Sequence, residues 1–136
     1  MIKLLVVDDS ALMRRLLADV FGRDDGFELA FARDGVEALE KLETFRPDVI
    51  TLDINMPGLN GLETLDRIML QRPCPVVMLS ALTTEGAEET LEALTLGAVD
   101  FVAKPTGADS LKNDALADEL TDTVRLAASA RVRRTH

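Results

Sequence analysis

Apolar runs alternate with helix-period segments five times along this 136-residue chain. Lys3–Val7 predicts a short buried strand. Ser10–Phe21 predicts a helix, with Leu12, Leu16 and Val20 recurring at four-residue intervals and Ser10 as a suitable N-cap. Phe27–Ala32 reads as a second strand, and Gly35–Phe45 as a helix carrying Val36, Leu39, Leu42 and Phe45 on one face. Asp48–Leu52 follows Pro47 as a third strand, and the turn-rich Asn55–Gly61 loop leads into a helix over Leu62–Leu70 with Leu62, Leu65 and Met69 apolar. Pro75–Ser80 is the fourth strand, and Thr83–Leu96 a Glu-rich helix stopped by Gly97. Ala98–Val102 is the fifth strand. The polar stretch Thr106–Asn113 then leads to a last helix through Leu116, Leu120, Val124 and Ala127.

Strands and helices alternating at this spacing imply a doubly wound, parallel five-stranded sheet with helices on both faces. The right-handedness of such crossovers leaves few topologies for an α/β (βα)5 chain, and the flavodoxin-like strand order is the one expected. A single domain is expected over residues 1–131, with 132–136 as the start of a linker or tail. The last helix carries Asp114, Asp118, Glu119 and Asp122 early and Arg125, Arg131, Arg133 and Arg134 late. That gradient matches the helix dipole.

Composition narrows the possible functions. With 47% hydrophobic and 29% charged residues the chain is neither disordered nor membrane-embedded. It enters its first strand without a signal-peptide pattern, so a cytoplasmic location without membrane insertion is expected. The formal net charge of −9 argues against direct nucleic-acid binding, which needs a basic surface. One cysteine, Cys74, permits neither an intrachain disulfide nor a thiolate zinc site.

Ligands of open parallel sheets bind beyond the carboxyl ends of the strands. Past the first strand lie Asp8, Asp9 and Ser10, past the third Asp53, at the end of the fourth Ser80, and past the fifth Lys104-Pro105. Arg33-Asp34, past the second, lies to one side. Taken singly, Asp-Asp-Ser is ordinary turn and N-cap chemistry, and Lys-Pro an ordinary turn. Taken together, they put three carboxylates, a hydroxyl and an ammonium on one edge. Three such carboxylates repel one another unless a cation is present. Oxygen ligands too few for a calcium cage point to Mg²⁺ with retained waters. A metal ion, a lysine and a free carboxylate equip a site for phosphoryl transfer, and Asp53, opening the loop, is the candidate nucleophile.

Other chemistries fit poorly. Val7–Leu12 contains no glycine for a nucleotide-binding turn, and there is no Trp or Tyr to stack on a flavin. The only histidine is His136, and no G-x-S-x-G elbow is present, which excludes a serine-hydrolase triad.

Val6-Val7-Asp8-Asp9-Ser10, Asp53–Gly61, Ser80-Ala81 and Lys104-Pro105 resemble the receiver domain of two-component response regulators, from about Ile2 to Arg131. The resemblance implies phosphorylation of Asp53 by a sensor histidine kinase. It implies Mg²⁺ bound by Asp9, Asp53 and the backbone carbonyl of Asn55, with Asp8 acting through water. Lys104 and Ser80 would hold the phosphoryl oxygens, and Phe101 would be the aromatic partner of a Ser80 switch. No separate enzymatic site is implied beyond phosphoryl acceptance and autodephosphorylation.

More narrowly, Pro75–Leu82, Gly86–Leu91, Leu96–Pro105 and Thr51–Ile54 are similar to the receiver of the CheB-type chemotaxis methylesterases. That similarity implies a CheA-like kinase and a C-terminal methylesterase/glutamine deamidase domain acting on chemoreceptors. The receiver would inhibit that domain until phosphorylated. Asn55 departs from the acidic residue common there and is more like the stand-alone regulator CheY. It bears on phosphate lifetime, as does Leu82, whose other role is helix packing. Two alternatives stay open: a stand-alone CheY-like module that binds a partner, and the receiver of a DNA-binding regulator. A monomer is favoured.

Overall fold

In the computed structural model the described residues are 1–23, 25–80, 84–103 and 114–130. They form β1 (Ile2–Val7), α1 (Ala11–Gly22), β2 (Phe27–Ala32), α2 (Gly35–Thr44), β3 (Val49–Asp53), α3 (Gly61–Gln71), β4 (Val76–Ser80), α4 (Thr84–Leu96), β5 (Asp100–Ala103) and α5 (Asp114–Ala128). The strands make one five-stranded sheet in the order β2-β1-β3-β4-β5. Every neighbouring pair is parallel, as the alternation of strands and helices predicts. Ala81, Leu82, Lys104, Thr106–Asn113 and the 131/132 boundary expected from the sequence lie outside the described residues.

Strand alternation divides the core into two layers. Leu5, Val7, Ile50, Leu52, Val76 and Met78 face Ala38, Leu42, Leu65, Ile68 and Ala93 of α2, α3 and α4. On the other side Leu4, Val6, Val49, Val77 and Leu79 face Leu17, Val20 and Phe21 of α1 and Ala117, Leu120, Val124 and Ala127 of α5. Strands buried on both faces carry near-continuous apolar runs. That is why β1, β3 and β4 were visible as runs rather than as alternations.

Side chains cap the first three helices. Ser10 Oγ accepts from the Met13 N–H at 3.2 Å, and Asp34 Oδ1 from the Glu37 N–H at 2.8 Å. Asn60 and Glu63 form a reciprocal capping box at the start of α3. Gly97, at φ 119°, ends α4 as expected.

Helix faces depart from the sequence expectation. Leu12 is 62% exposed, and α1 buries Leu17, Val20 and Phe21 instead. A strict four-residue spacing drifts by about 40° per step around a helix, so Leu12, Leu16 and Val20 do not share one buried line. Val36 of α2 and Leu116 of α5 are exposed as well. Ala38, Ala117 and Ala127 take sheet-facing positions. Strand limits move by one or two residues. β3 runs through Asp53, and the Ala98 N–H bonds to the Ala93 carbonyl at 3.0 Å, which keeps Ala98 in the turn before β5.

Cys74 is buried between β4 and α3, its Sγ 3.4 Å from the Pro47 carbonyl it donates to. Burial, and then the Asp48 carboxylate, push its thiol from 9.0 up to about 12, with Arg72 opposing. The folded chain therefore keeps a proton that an unfolded cysteine releases. This contribution to stability is whole below pH 9 and is lost as pH rises toward 12. Denaturant melts at several pH values above 9 should show a falling stability, and Cys74→Ala should flatten the slope. The difference is bounded by one proton, about 1.4 kcal/mol per pH unit. Equal slopes in the two proteins would refute it.

Candidate functional site

The site grows out of the strand register. β1 pairs with β3 through Val7↔Leu52, and the next residues at that edge are Asp8 and Asp53. The Asp8 N–H continues the ladder to β2 by donating to the Ala32 carbonyl at 3.0 Å, and the Ile54 N–H continues the other to the Leu79 carbonyl at 3.1 Å. Both aspartates are thereby fixed by backbone bonds. Asp8 and Asp53 are fully buried, whereas Asp9 is exposed at the rim. One carboxylate oxygen from each of the three lies within 4.8 Å of the others.

Local bonds orient the cluster. Asp8 Oδ1 accepts from the Ser10 N–H at 2.9 Å, and Asp53 Oδ1 from the Asn55 N–H at 3.1 Å. Arg14 Nη1 donates to the Asp8 carbonyl at 2.6 Å, tying α1 to the strand end. The loop from Asn55 turns at Gly58, φ 71°, and returns so that the Gly61 N–H donates to the Ile54 carbonyl at 2.9 Å. This return is close. A Cβ on Gly61 would overlap the Asp53 carbonyl oxygen and stand 2.5 Å from Ile54 Cα.

Three carboxylates in this space, two without solvent, repel strongly in a low-dielectric setting. An all-oxygen set of this size suits a small hard cation that keeps part of its water shell. The donor chemistry of Asp8, Asp9 and Asp53 therefore fits a divalent ion.

Ser80 ends the neighbouring strand, one residue beyond the Asp53↔Leu79 pair, and is buried. Its Oγ lies 3.0 Å from Oγ1 of Thr90, a buried residue of α4 that the sequence reading did not single out. The available signal was a threonine in line with Ala93 on an otherwise acidic helix. Phe101, on β5, pairs with Met78 of β4 and is 46% exposed, so it is no core residue. Lys104 follows the last residue of β5 but lies outside the described residues, as does Leu82. Arg33 and Asp34 stay apart from the cluster: Asp34 caps α2, and Arg33 pairs with Glu37 at 3.7 Å on the surface.

The response regulator receiver domain family matches residues 4–116. The chain belongs to that family. The receiver is 58% identical over 134 residues to a protein-glutamate methylesterase/protein-glutamine glutaminase of Rhodospirillum rubrum, covering 98% of this chain and 36% of that protein. A counterpart from Rhodopseudomonas palustris is 53% identical over 136 residues, all of this chain and 37% of the relative. The chain thus spans little more than a third of the curated relatives' length. Among solved structures, the response regulator domain of Thermotoga maritima CheB superposes with a TM-score of 0.86 at 48% identity, covering 96% of this receiver and 98% of that chain. No helix among the described residues of the receiver is long and apolar enough to cross a membrane.

The close return at Gly61 gives a direct test of how the receiver's acidic edge is held. Gly61→Ala should destabilise it by about 2–4 kcal/mol, because backbone rather than flexible side chain blocks the new methyl. Gly22→Ala, where a Cβ meets nothing within 4 Å, is the matched control. Thermal melts of both decide it, and a Gly61→Ala protein as stable as the control would contradict the packing.

Proposed function

We propose that this receiver is the phospho-accepting regulatory domain of a CheB-type chemotaxis methylesterase/glutamine deamidase, phosphorylated on Asp53 by a CheA-like histidine kinase. The observation that carries the chemistry is the convergence of Asp8, Asp9 and Asp53 at the carboxyl edge of the sheet. An Asp53 oxygen attacks the phosphorus of a phosphohistidine protonated on its other ring nitrogen, the P–N bond breaks with its electron pair going to the ring, and a neutral imidazole leaves. Asp9, Asp53 and the Asn55 carbonyl would hold Mg²⁺, with Asp8 acting through a bound water. When bound, the ion offsets the charge that develops on the transferring phosphoryl group. The Ser80 hydroxyl donates to a phosphoryl oxygen, and Lys104 is assigned to another on sequence grounds alone. Ser80's displacement and the reorientation of Phe101 carry the change to the surface of α4, β5 and α5.

The regulatory output rests on the relatives. Identity of 58% and 53% to the corresponding third of two methylesterases supports a receiver that restrains an esterase domain until phosphorylated, with chemoreceptor glutamates as the eventual substrates. Asn55 favours one other reading, a stand-alone CheY-like module, and Asn55 and Leu82 are assigned to phosphate lifetime.

Incubation with acetyl phosphate and Mg²⁺ should add one phosphoryl group to the intact mass, and Asp53→Asn should abolish the gain. A gain that persists in Asp53→Asn moves the acceptor elsewhere. An antibody to the receiver should detect, in cell extract, a polypeptide well over twice this length that hydrolyses receptor methyl esters. A species of 136 residues would favour the stand-alone module instead.

A further inference from the structure

The inner line of α4 is apolar except at one place. Gly86, Thr90 and Ala93 are the buried positions of this helix among the residues whose side chains are described, and Thr90 puts a hydroxyl where the pattern calls for an aliphatic group. Its Oγ1 lies 2.7 Å from the Gly86 carbonyl and 3.0 Å from Ser80 Oγ. A threonine hydroxyl has one proton. The shorter contact, to a carbonyl that can only accept, takes that proton. The bond to Ser80 is therefore made with the serine's proton, and Ser80 donates into Thr90.

Ser80 also has one proton, and in the proposed reaction it is needed by a phosphoryl oxygen on Asp53. We infer that Thr90 is a latch that competes with the phosphoryl group for the Ser80 hydroxyl proton, so that phosphorylation breaks a β4–α4 hydrogen bond as it forms the new one. This inference rests on Ser80 being the phosphoryl contact. It adds a positioning residue on α4 and gives the two states of the switch a defined difference: one proton with two exclusive acceptors. The exchange works in both directions. Whatever moves α4 away from Ser80 strengthens binding at Asp53, by the reciprocity of coupled equilibria.

Beryllofluoride, added with Mg²⁺ as a phosphoryl stand-in, tests the latch by calorimetric titration. Thr90→Val keeps the shape and removes the acceptor, and should tighten binding by about 2- to 10-fold, the range set by one net hydrogen bond. Thr90→Ser restores the hydroxyl and should bind like the unaltered receiver. Ser80→Ala should weaken binding, and Thr90→Val added to Ser80→Ala should then change nothing. Unchanged or weaker binding by Thr90→Val, with Ser80→Ala still weakening it, overturns the latch and leaves the phosphoryl role of Ser80 standing. Unimpaired binding by Ser80→Ala removes that role and the latch with it. An equal gain from Thr90→Val in both backgrounds also overturns the latch, since the effect would not pass through Ser80. If Thr90→Val fails to give a cooperative melt, Thr90→Ala replaces it with the same outcomes.

Discussion

Asp8, Asp9 and Asp53 carry like charge into a space of under 5 Å, and two of them have no solvent to screen it. The fold has to hold these groups against their own repulsion. Backbone pairing does much of this. Parallel pairing of β1 with β2 and β3 fixes Asp8, and pairing of β3 with β4 fixes Asp53. Apolar layers on both faces of the sheet keep these strands from yielding. The repulsion that remains is what a divalent ion would relieve, and the ion would in turn offset the negative charge of an incoming phosphoryl group.

Glycine and asparagine do much of the fitting around this edge. α3 starts so close to the end of β3 that only a residue without a Cβ fits at Gly61, while Asn60 and Glu63 satisfy the helix start. The loop between is therefore short of freedom although it carries no regular structure. Asn55, whose N–H is bonded to Asp53, is held at the mouth of the site by that constraint.

Much of this was legible in the sequence because central parallel strands are continuous apolar runs, and because parallel order brings the residues just past each run to one edge. Asp8, Asp9, Asp53 and Ser80 could be located by counting from Val7, Leu52 and Leu79. The helices were read less well. A recurrence of four residues selected Leu12, which faces outward, because spacing alone does not say which side of a helix meets the sheet. A short apolar run such as the one that holds Phe101 looks the same at an edge as at the centre. β5 has only β4 beside it, and that leaves Phe101 half exposed. The bond between Thr90 and Ser80 joins residues ten apart through the packing of a helix on a strand, which no periodicity encodes.

β1, the first of the five strands in chain order, is an inner strand of the sheet, with β2 on one side and β3 on the other. Lys3 and Asp48, 45 residues apart, bond backbone to side chain and backbone to backbone where β1 meets the start of β3. Loop closure over such a distance has to precede the contacts that reward it. During synthesis β1 waits through a helix–strand–helix before its second neighbour exists. Asp53 meets Asp8 and Asp9 only when β3 docks, so their mutual repulsion weighs on that late assembly step and leaves the earlier pairing of β1 with β2 untouched.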